Sequence, residues 1–463
     1  MDKFQRLRPV GRLEQYSTSR HHLKFYNNVA VSATYTLPES CSLPVKDYVY
    51  KACEVLIGQH PILSAIPVDE DTKTPYFVRL PEIDLDQAIS FQSRQNGHPE
   101  SDEEDSELEA LLQVQHNTPF SAPSPFWRLC VLTEAEAAER FTVAFVFHHA
   151  ISDGGSGKAF HKTFLQALHD TASSLTSGEI KRCIPSPQTP LLPNIEDLHS
   201  MPLSIPYLLT ALFKAKVYSW RDPGLWTGSE IRTPLKSFLR HIVLPKHIST
   251  SFKERCRENT TTITAALETV LAYSLFTHLP GTFTKLHCQG AMSARRWLPD
   301  SITDDVMGVW VQNWNESFSR EKFKDGSDSL FPWDEARRSR QTIETILGLK
   351  GKDTSVNLLK YVDDYHQELF LSKVGQQRDA SYEVSNIGVL AVEGVGDSSK
   401  LQIGRVVFSQ CASVAGAGVE VSVAMGGDGC LVLAFCWQEG VVELELMGAV
   451  IEETKRVLYG LCV

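Results

Sequence analysis

The sequence has no apolar run that approaches the ~18 uninterrupted residues of a membrane span, and it has no excess of positive charge. The first absence excludes a transmembrane helix. The second is a balance of 45 Lys plus Arg against 56 Asp plus Glu, a net charge of -11. It argues against nucleic acid as a partner, because a polyanion is held by clustered cations. Ten cysteines are scattered from Cys41 to Cys462 with no C-x-x-C pair and no finger spacing; no metal site is expected, and reduced thiols fit this usage. Met1 to Arg8 has no apolar stretch behind its charges, so no leader peptide is expected and the expected location is cytoplasmic. What is present is a globular composition, 42% hydrophobic and 22% charged, which excludes collagen-like, disordered and coiled-coil chains. At 463 residues the length allows two or three units of roughly 150 residues each.

Short segments rich in Val, Ile, Phe and Tyr, such as Val29 to Tyr35 and Phe141 to Phe147, alternate with amphipathic stretches such as Val45 to Leu56, the pattern of a mixed α/β protein. Residues 175–235 collect prolines, among them Pro185, Pro187, Pro190 and Pro193, and lose periodicity. The expected division is an N-terminal lobe over 1–190, a crossover over 191–235 and a C-terminal lobe over 236–463. In the second lobe Phe238 to Leu244 reads as a strand and Thr262 to His278 as a buried helix. Val419 to Met425 and Cys430 to Trp437 read as a hairpin closed by Gly426-Gly427-Asp428-Gly429.

Glu100 to Glu109 is acidic throughout its charged positions and reads as a solvated loop entering a helix N-terminus. Tyr207 to Trp220 is amphipathic with two lysines. It suits packing between lobes or, on the other reading, peripheral contact with a lipid surface.

The segment that carries chemistry is Phe141-Thr-Val-Ala-Phe-Val-Phe147-His148-His149-Ala-Ile-Ser-Asp153-Gly154-Gly155-Ser-Gly157. Its apolar run reads as a strand buried on both faces. Phe160, Phe164, Leu165 and Leu168 recur at helical spacing, leaving the glycines as the turn between strand and helix. A neutral imidazole can accept a proton at physiological pH, which suits a general base. Adjacent residues of an extended chain point to opposite faces, so His148 and His149 do not form a metal pair. Asp153 could hold an imidazole or pair with a cation to fix the turn; the residues alone leave both open. The pattern should arise by chance in about one such chain in a thousand. His60 and the pair His21-His22 read as structural. A P-loop would need Gly at Ser152 and Ser or Thr at Ala159, and a nucleophile elbow would need Gly at Lys158; both are excluded.

His148-His149-Ala150-Ile151-Ser152-Asp153-Gly154 matches the HHxxxDG signature, and the chain resembles the CoA-dependent acyltransferase superfamily: chloramphenicol acetyltransferases, BAHD acyltransferases, condensation domains and, most similar, fungal alcohol acetyltransferases. Further segments are similar to that branch: Arg12-Leu-Glu14-Gln-Tyr16 with Arg20 and Tyr26, Pro125-Phe-Trp127-Arg128-Leu129, Ser293-Ala-Arg295-Arg296 with Met307-Gly308, and Ser385-Asn386-Ile387-Gly388. The plant-type DFGWG segment is absent; Ser409-Gln-Cys-Ala-Ser-Val-Ala-Gly416-Ala-Gly418 stands in its place. The resemblance implies an α/β fold of two chloramphenicol-acetyltransferase-like sandwich lobes with a tunnel at their interface. It implies acetyl-CoA or another acyl-CoA as co-substrate with no permanently bound cofactor, a small-molecule alcohol as acceptor, and a monomer. His149 would be the base, Asp153 would pair with Arg295, Gly154 would leave room beside the base, and His148 would help to organise the site.

Ser385, Asn386, Gln410 and Ser413 are the polar candidates for holding substrate or the oxyanion. Arg337, Arg338 and Arg340, or Lys350 with Lys352, are candidates for the CoA phosphates. Two rivals remain: an acyl donor carried on a carrier protein, and a repurposed, non-catalytic member whose tunnel only binds a small molecule.

Overall fold

The computed structural model describes residues 4–38, 41, 43–134, 139–173, 179–217, 221–323, 331–390 and 401–462. The run Arg140–Phe147 is a strand with every residue after Arg140 buried. It lies at the centre of a five-stranded sheet, ordered Gln402–Gln410, Val29–Thr36, Arg140–Phe147, Trp127–Thr133, Ile89–Ser93. Helix Gly154–Ser173 returns along this sheet. Phe160 stacks on Phe145 with ring centroids 3.9 Å apart, and Phe164 meets Tyr35 at 5.2 Å. The helical spacing of those aromatics is therefore the core face of the helix.

The second sheet has six strands, ordered Ser237–Leu244, Leu431–Gln438, Val419–Met425, Tyr382–Val389, Lys285–Ser293, Val311–Ser319. The hairpin forms as its turn residues require, with Gly429 at φ 79°. Helix Ile263–His278 is capped by Thr262, whose side chain accepts from the Ala265 N–H. It is buried on nearly all sides because helices Trp333–Gly348 and Leu444–Gly460 also pack on it.

The two sheets do not divide the chain cleanly. Gln402–Gln410 comes from the C-terminal half yet pairs antiparallel with Val29–Thr36 as the edge of the first sheet. It also packs on Val419–Met425 and Leu431–Gln438 of the second. The proline-rich stretch contributes short helices and a small core, in which Ile195 and Met201 join Leu13 and Trp310.

Three expectations are corrected. The motif glycines are not a turn leading to the helix; Gly154, Gly155 and Gly157 are its first residues, and each lets a neighbour come close. A Cβ on Gly154 would stand 2.6 Å from Ile387 Cγ2, one on Gly155 would stand 2.8 Å from Arg295 Nη1, and one on Gly157 would overlap Val31. The acidic run is only partly solvated, since Asp105 is buried, caps helix Ser106–His116 through the Leu108 N–H, and takes a two-pronged pair from Arg94 at 2.9 and 2.7 Å. Helix Ile205–Val217 does not pack between lobes, because Ile205, Leu209, Leu212 and Phe213 are exposed along one stripe. Residues 218–220 of that amphipathic stretch lie outside the described residues.

Gly157→Ala tests the close approach of helix and sheet. In an unobstructed helix the change would gain up to ~1 kcal/mol. Here the added methyl meets Val31, and the expected outcome is a net loss of about 1–3 kcal/mol, read as a lowered urea midpoint.

Candidate active site

The strand Arg140–Phe147 ends where the His148 N–H donates to the Phe126 carbonyl at 2.9 Å. The next two side chains then diverge. His148 is buried within the first lobe: its ring lies 4.4 Å from that of His21 and 5.2 Å from that of Phe126. Its Nδ1 accepts from the Ala150 N–H at 3.0 Å, which directs the Nε2 proton toward Glu70 Oε1, 3.5 Å away. His149 turns the other way, partly exposed, with its ring 6.1 Å from that of Tyr26. The two side chains thus point to opposite faces, as adjacent residues of an extended chain do.

Asp153 is wholly buried and serves two ends at once. As the cap of helix Gly154–Ser173 it accepts from the Ser156 N–H at 2.8 Å and the Ser156 hydroxyl at 2.9 Å. Across the seam it takes Arg295 Nη1 at 2.8 Å and Nη2 at 3.0 Å, and the Trp310 N–H at 3.0 Å. Burial alone would raise its pKa, but Arg295 and these donors hold the carboxyl below its ordinary value. Arg295 in turn lies over the Trp310 ring at 4.9 Å. Of the two roles the residues left open for Asp153, the geometry is that of pairing with a cation; the aspartate does not hydrogen-bond to His149.

Burial, then the charge of Arg20, lowers the pKa of His149 to about 4, against its own carbonyl and Asp153, which favour the charged ring. The imidazole is thus neutral at physiological pH. Its Nδ1 is buried without a hydrogen-bond partner, and among the described residues nothing hydrogen-bonds to its Nε2.

The remaining candidates separate. Ser385 and Ile387 alternate with Asn386 along Tyr382–Val389, and Ile387 reaches Gly154, so Ser385 shares the face toward the first lobe. Asn386 is turned from it: its amide donates to Thr264 Oγ1 at 3.0 Å and its carbonyl accepts from the Gly388 N–H. Gln410 accepts from the Tyr26 hydroxyl at 3.1 Å and donates to Glu383 at 3.3 Å. Ser413 is buried beside Gly416. Arg337, Arg338 and Arg340 each already face a carboxylate, on Asp334, Glu316 with Glu335, and Glu344 respectively, which weakens them as phosphate ligands.

Two neighbours of the motif come from other segments, one without a local signal and one with it. Glu70 sits in an acidic loop that reads as solvated, yet it joins His21 and His148. Arg20 follows Leu13, Tyr16 and Ser17 on one face of helix Arg12–His22, a periodicity that would have marked it as inward-facing.

His21, Glu70 and His148 are the one group of metal-ligand types that cluster among the described residues. Their hydrogen bonds oppose coordination. His21 Nε2 accepts from the Phe120 N–H and His148 Nδ1 from the Ala150 N–H, so each imidazole carries its proton on the nitrogen nearer Glu70. A metal-bound imidazole has the reverse arrangement, donating outward from its second nitrogen.

Residues 9–444 match the family model for alcohol acetyltransferase. The probable alcohol acetyltransferase crmB of Aspergillus fumigatus is 38% identical over 451 residues, covering 94% of this chain and 95% of that protein. The probable alcohol acetyltransferase FCK4 of Fusarium pseudograminearum is 25% identical, covering 98% and 95%. Among solved structures, the TRI3 trichothecene 15-O-acetyltransferase of Fusarium sporotrichioides superposes with a TM-score of 0.72 at 12% identity, covering 98% of this chain and 94% of that one. The first condensation domain of the calcium-dependent antibiotic synthetase superposes at 0.63, also with 12% identity, covering 98% and 97%. At that identity these two establish the fold, the two-lobed α/β architecture of chloramphenicol acetyltransferases. No helix among the described residues is long and apolar enough to cross a membrane. The chain belongs to the alcohol acetyltransferase family and is an acyltransferase.

Proposed function

We propose that the protein transfers an acetyl group from acetyl-CoA to a hydroxyl of a hydrophobic small molecule, with His149 as general base. Both substrates would be bound together, reaching His149 from opposite mouths of a tunnel along the seam between the lobes. The imidazole takes the hydroxyl proton as the alcohol oxygen attacks the thioester carbonyl. The tetrahedral intermediate then collapses, the C–S bond breaks, and the imidazolium returns the proton to the departing thiolate, giving an acetate ester and free CoA. The observation that carries this reading is the state of His149: neutral, at the end of a rigid strand, with no hydrogen bond to Nε2 from any described residue. Asp153 is a positioning residue in this scheme; with Arg295 it fixes the turn that presents the base. Ser385, on the face toward the first lobe, and Gln410, bonded to Tyr26, are the polar groups that would serve substrate. The exposed stripe on Ile205–Val217, in a stretch whose sequence holds Lys214 and Lys216 and no acidic residue, suits contact with an anionic lipid surface from which a hydrophobic alcohol is drawn.

Purified protein, acetyl-CoA and a panel of alcohols, followed by release of free CoA thiol, test the reading. His149→Ala is expected to lower turnover by about 10²–10⁴-fold; equal thiol release from the two proteins overturns the assignment. The acid limb of kcat/KM is expected to have its midpoint near pH 4, not near the 6.5 of an ordinary histidine, because the ring must be neutral to act and burial keeps it so down to that pH. Asp153→Asn is expected to leave Arg295 buried and uncompensated and to lower stability by about 3–5 kcal/mol, read as a shifted denaturant midpoint.

A further inference from the structure

Six arginines are deeply buried among the described residues: Arg20, Arg79, Arg94, Arg295, Arg378 and Arg405. Five have partners. Arg94 and Arg295 hold aspartates, Arg79 holds Gln188 and the Thr189 carbonyl, Arg378 holds the Ser229 and Val414 carbonyls, and Arg405 holds the carbonyls of Glu100, Ser101 and Glu103. Arg20 is the exception. It is 9% exposed, and its guanidinium lies 3.7 Å from the ring centroid of Tyr26 and 5.0 Å from that of Tyr16. Its Nε is buried without a partner, and among the described residues it has no ion pair and no side-chain hydrogen bond. That Nε has given up water without gaining an acceptor, which is costly, and aromatic faces compensate only part of that.

The groups around Arg20 are also unfinished. Glu383 and Glu420 stand in register on parallel strands. Glu420 is 3% exposed and its Oε2 is buried without a partner. Ser422 lies two residues along the same strand, hence on the same face, and its Oγ is likewise unpartnered. Glu383 is partly exposed and is tied to the motif side through Gln410, Tyr26 and the ring of His149. Burial raises the pKa of both acids, and Glu383 pushes Glu420 further, while Arg20 draws both down. Two carboxyls in register on adjacent strands favour sharing a proton, one then donating and the other accepting.

We propose that Arg20, Glu383 and Glu420 form an acceptor-binding subsite beside His149 for a neutral group that both accepts and donates a hydrogen bond, of the carboxamide or lactam type. The ligand class follows from charge. A carboxylate or phosphate would meet two acids, and an ammonium would meet Arg20; a carbonyl oxygen toward the guanidinium with an N–H toward a glutamate leaves no charge uncompensated. This deepens the acetyl-transfer reading and rests on it only for the hydroxyl that reacts.

The test uses the full chain and a series of ω-hydroxyalkanamides, each compared with the alkanol of matching length. Wild type is expected to favour at least one hydroxyalkanamide by tenfold or more in kcat/KM, because a site built for polar groups rejects the analogue that lacks them. Arg20→Met is expected to bring that ratio to about one, with a melting temperature unchanged or raised, since an unpaired buried charge has been removed. Glu420→Gln, which keeps the shape, is expected to reduce the ratio as well. The same hydroxyalkanamide should protect wild type and His149→Ala against thermal unfolding and fail to protect Arg20→Met. No preference in wild type at any length, an undiminished ratio in Arg20→Met, or a lowered melting temperature in that variant would overturn the subsite. If no alcohol releases thiol, acetyl transfer fails as the activity, and the protection measurements still decide the subsite.

Discussion

The buried pair between Asp153 and Arg295 is the interaction on which the rest of the site depends. One carboxylate caps the motif helix, accepts the guanidinium of the other lobe and takes the Trp310 N–H. Such a pair is weak evidence for net stability, because desolvation offsets much of the attraction. Its value lies in geometry. Each oxygen is committed to donors from both sides of the seam, so the turn holding His149 cannot shift without breaking several charge-assisted bonds.

The glycines belong to the same arrangement. A side chain at Gly154 would meet Ile387, and one at Gly155 would meet Arg295. The motif therefore holds the helix close to the second lobe through residues that are absent as side chains, as well as through those present. The His21, Glu70 and His148 cluster works from behind, with backbone N–H groups fixing the orientation of both rings and His148 packed against aromatic neighbours. Asp153 thus anchors one end of the short connection that bears the base, and His148 the other.

Much of this was legible in the sequence because the informative residues are adjacent. The apolar run, the two histidines and the aspartate fall within one strand, turn and helix, and strand alternation alone separates His148 from His149. Arg295 was legible only through family resemblance; nothing within its own segment shows that it meets Asp153. Glu70 and Glu420 were out of reach, because a carboxylate in an acidic loop and another in a strand acquire meaning only when distant segments meet. The expectation of a helix lodged between lobes at 207–220 failed for a related reason: amphipathicity shows that a helix has an apolar face but not what covers it. The motif glycines were misread because glycine is a weak helix former, and close packing overrides that preference here.

The strand Gln402–Gln410 has a consequence for biogenesis. Until it is translated, Val29–Thr36 has no partner on its outer side, and the nascent first sheet carries an open hydrogen-bonding edge through most of synthesis. Completion of that sheet is a long-range, late event. A product truncated before this strand would be left adhesive along that edge as well as incomplete, and such fragments are natural clients for chaperones.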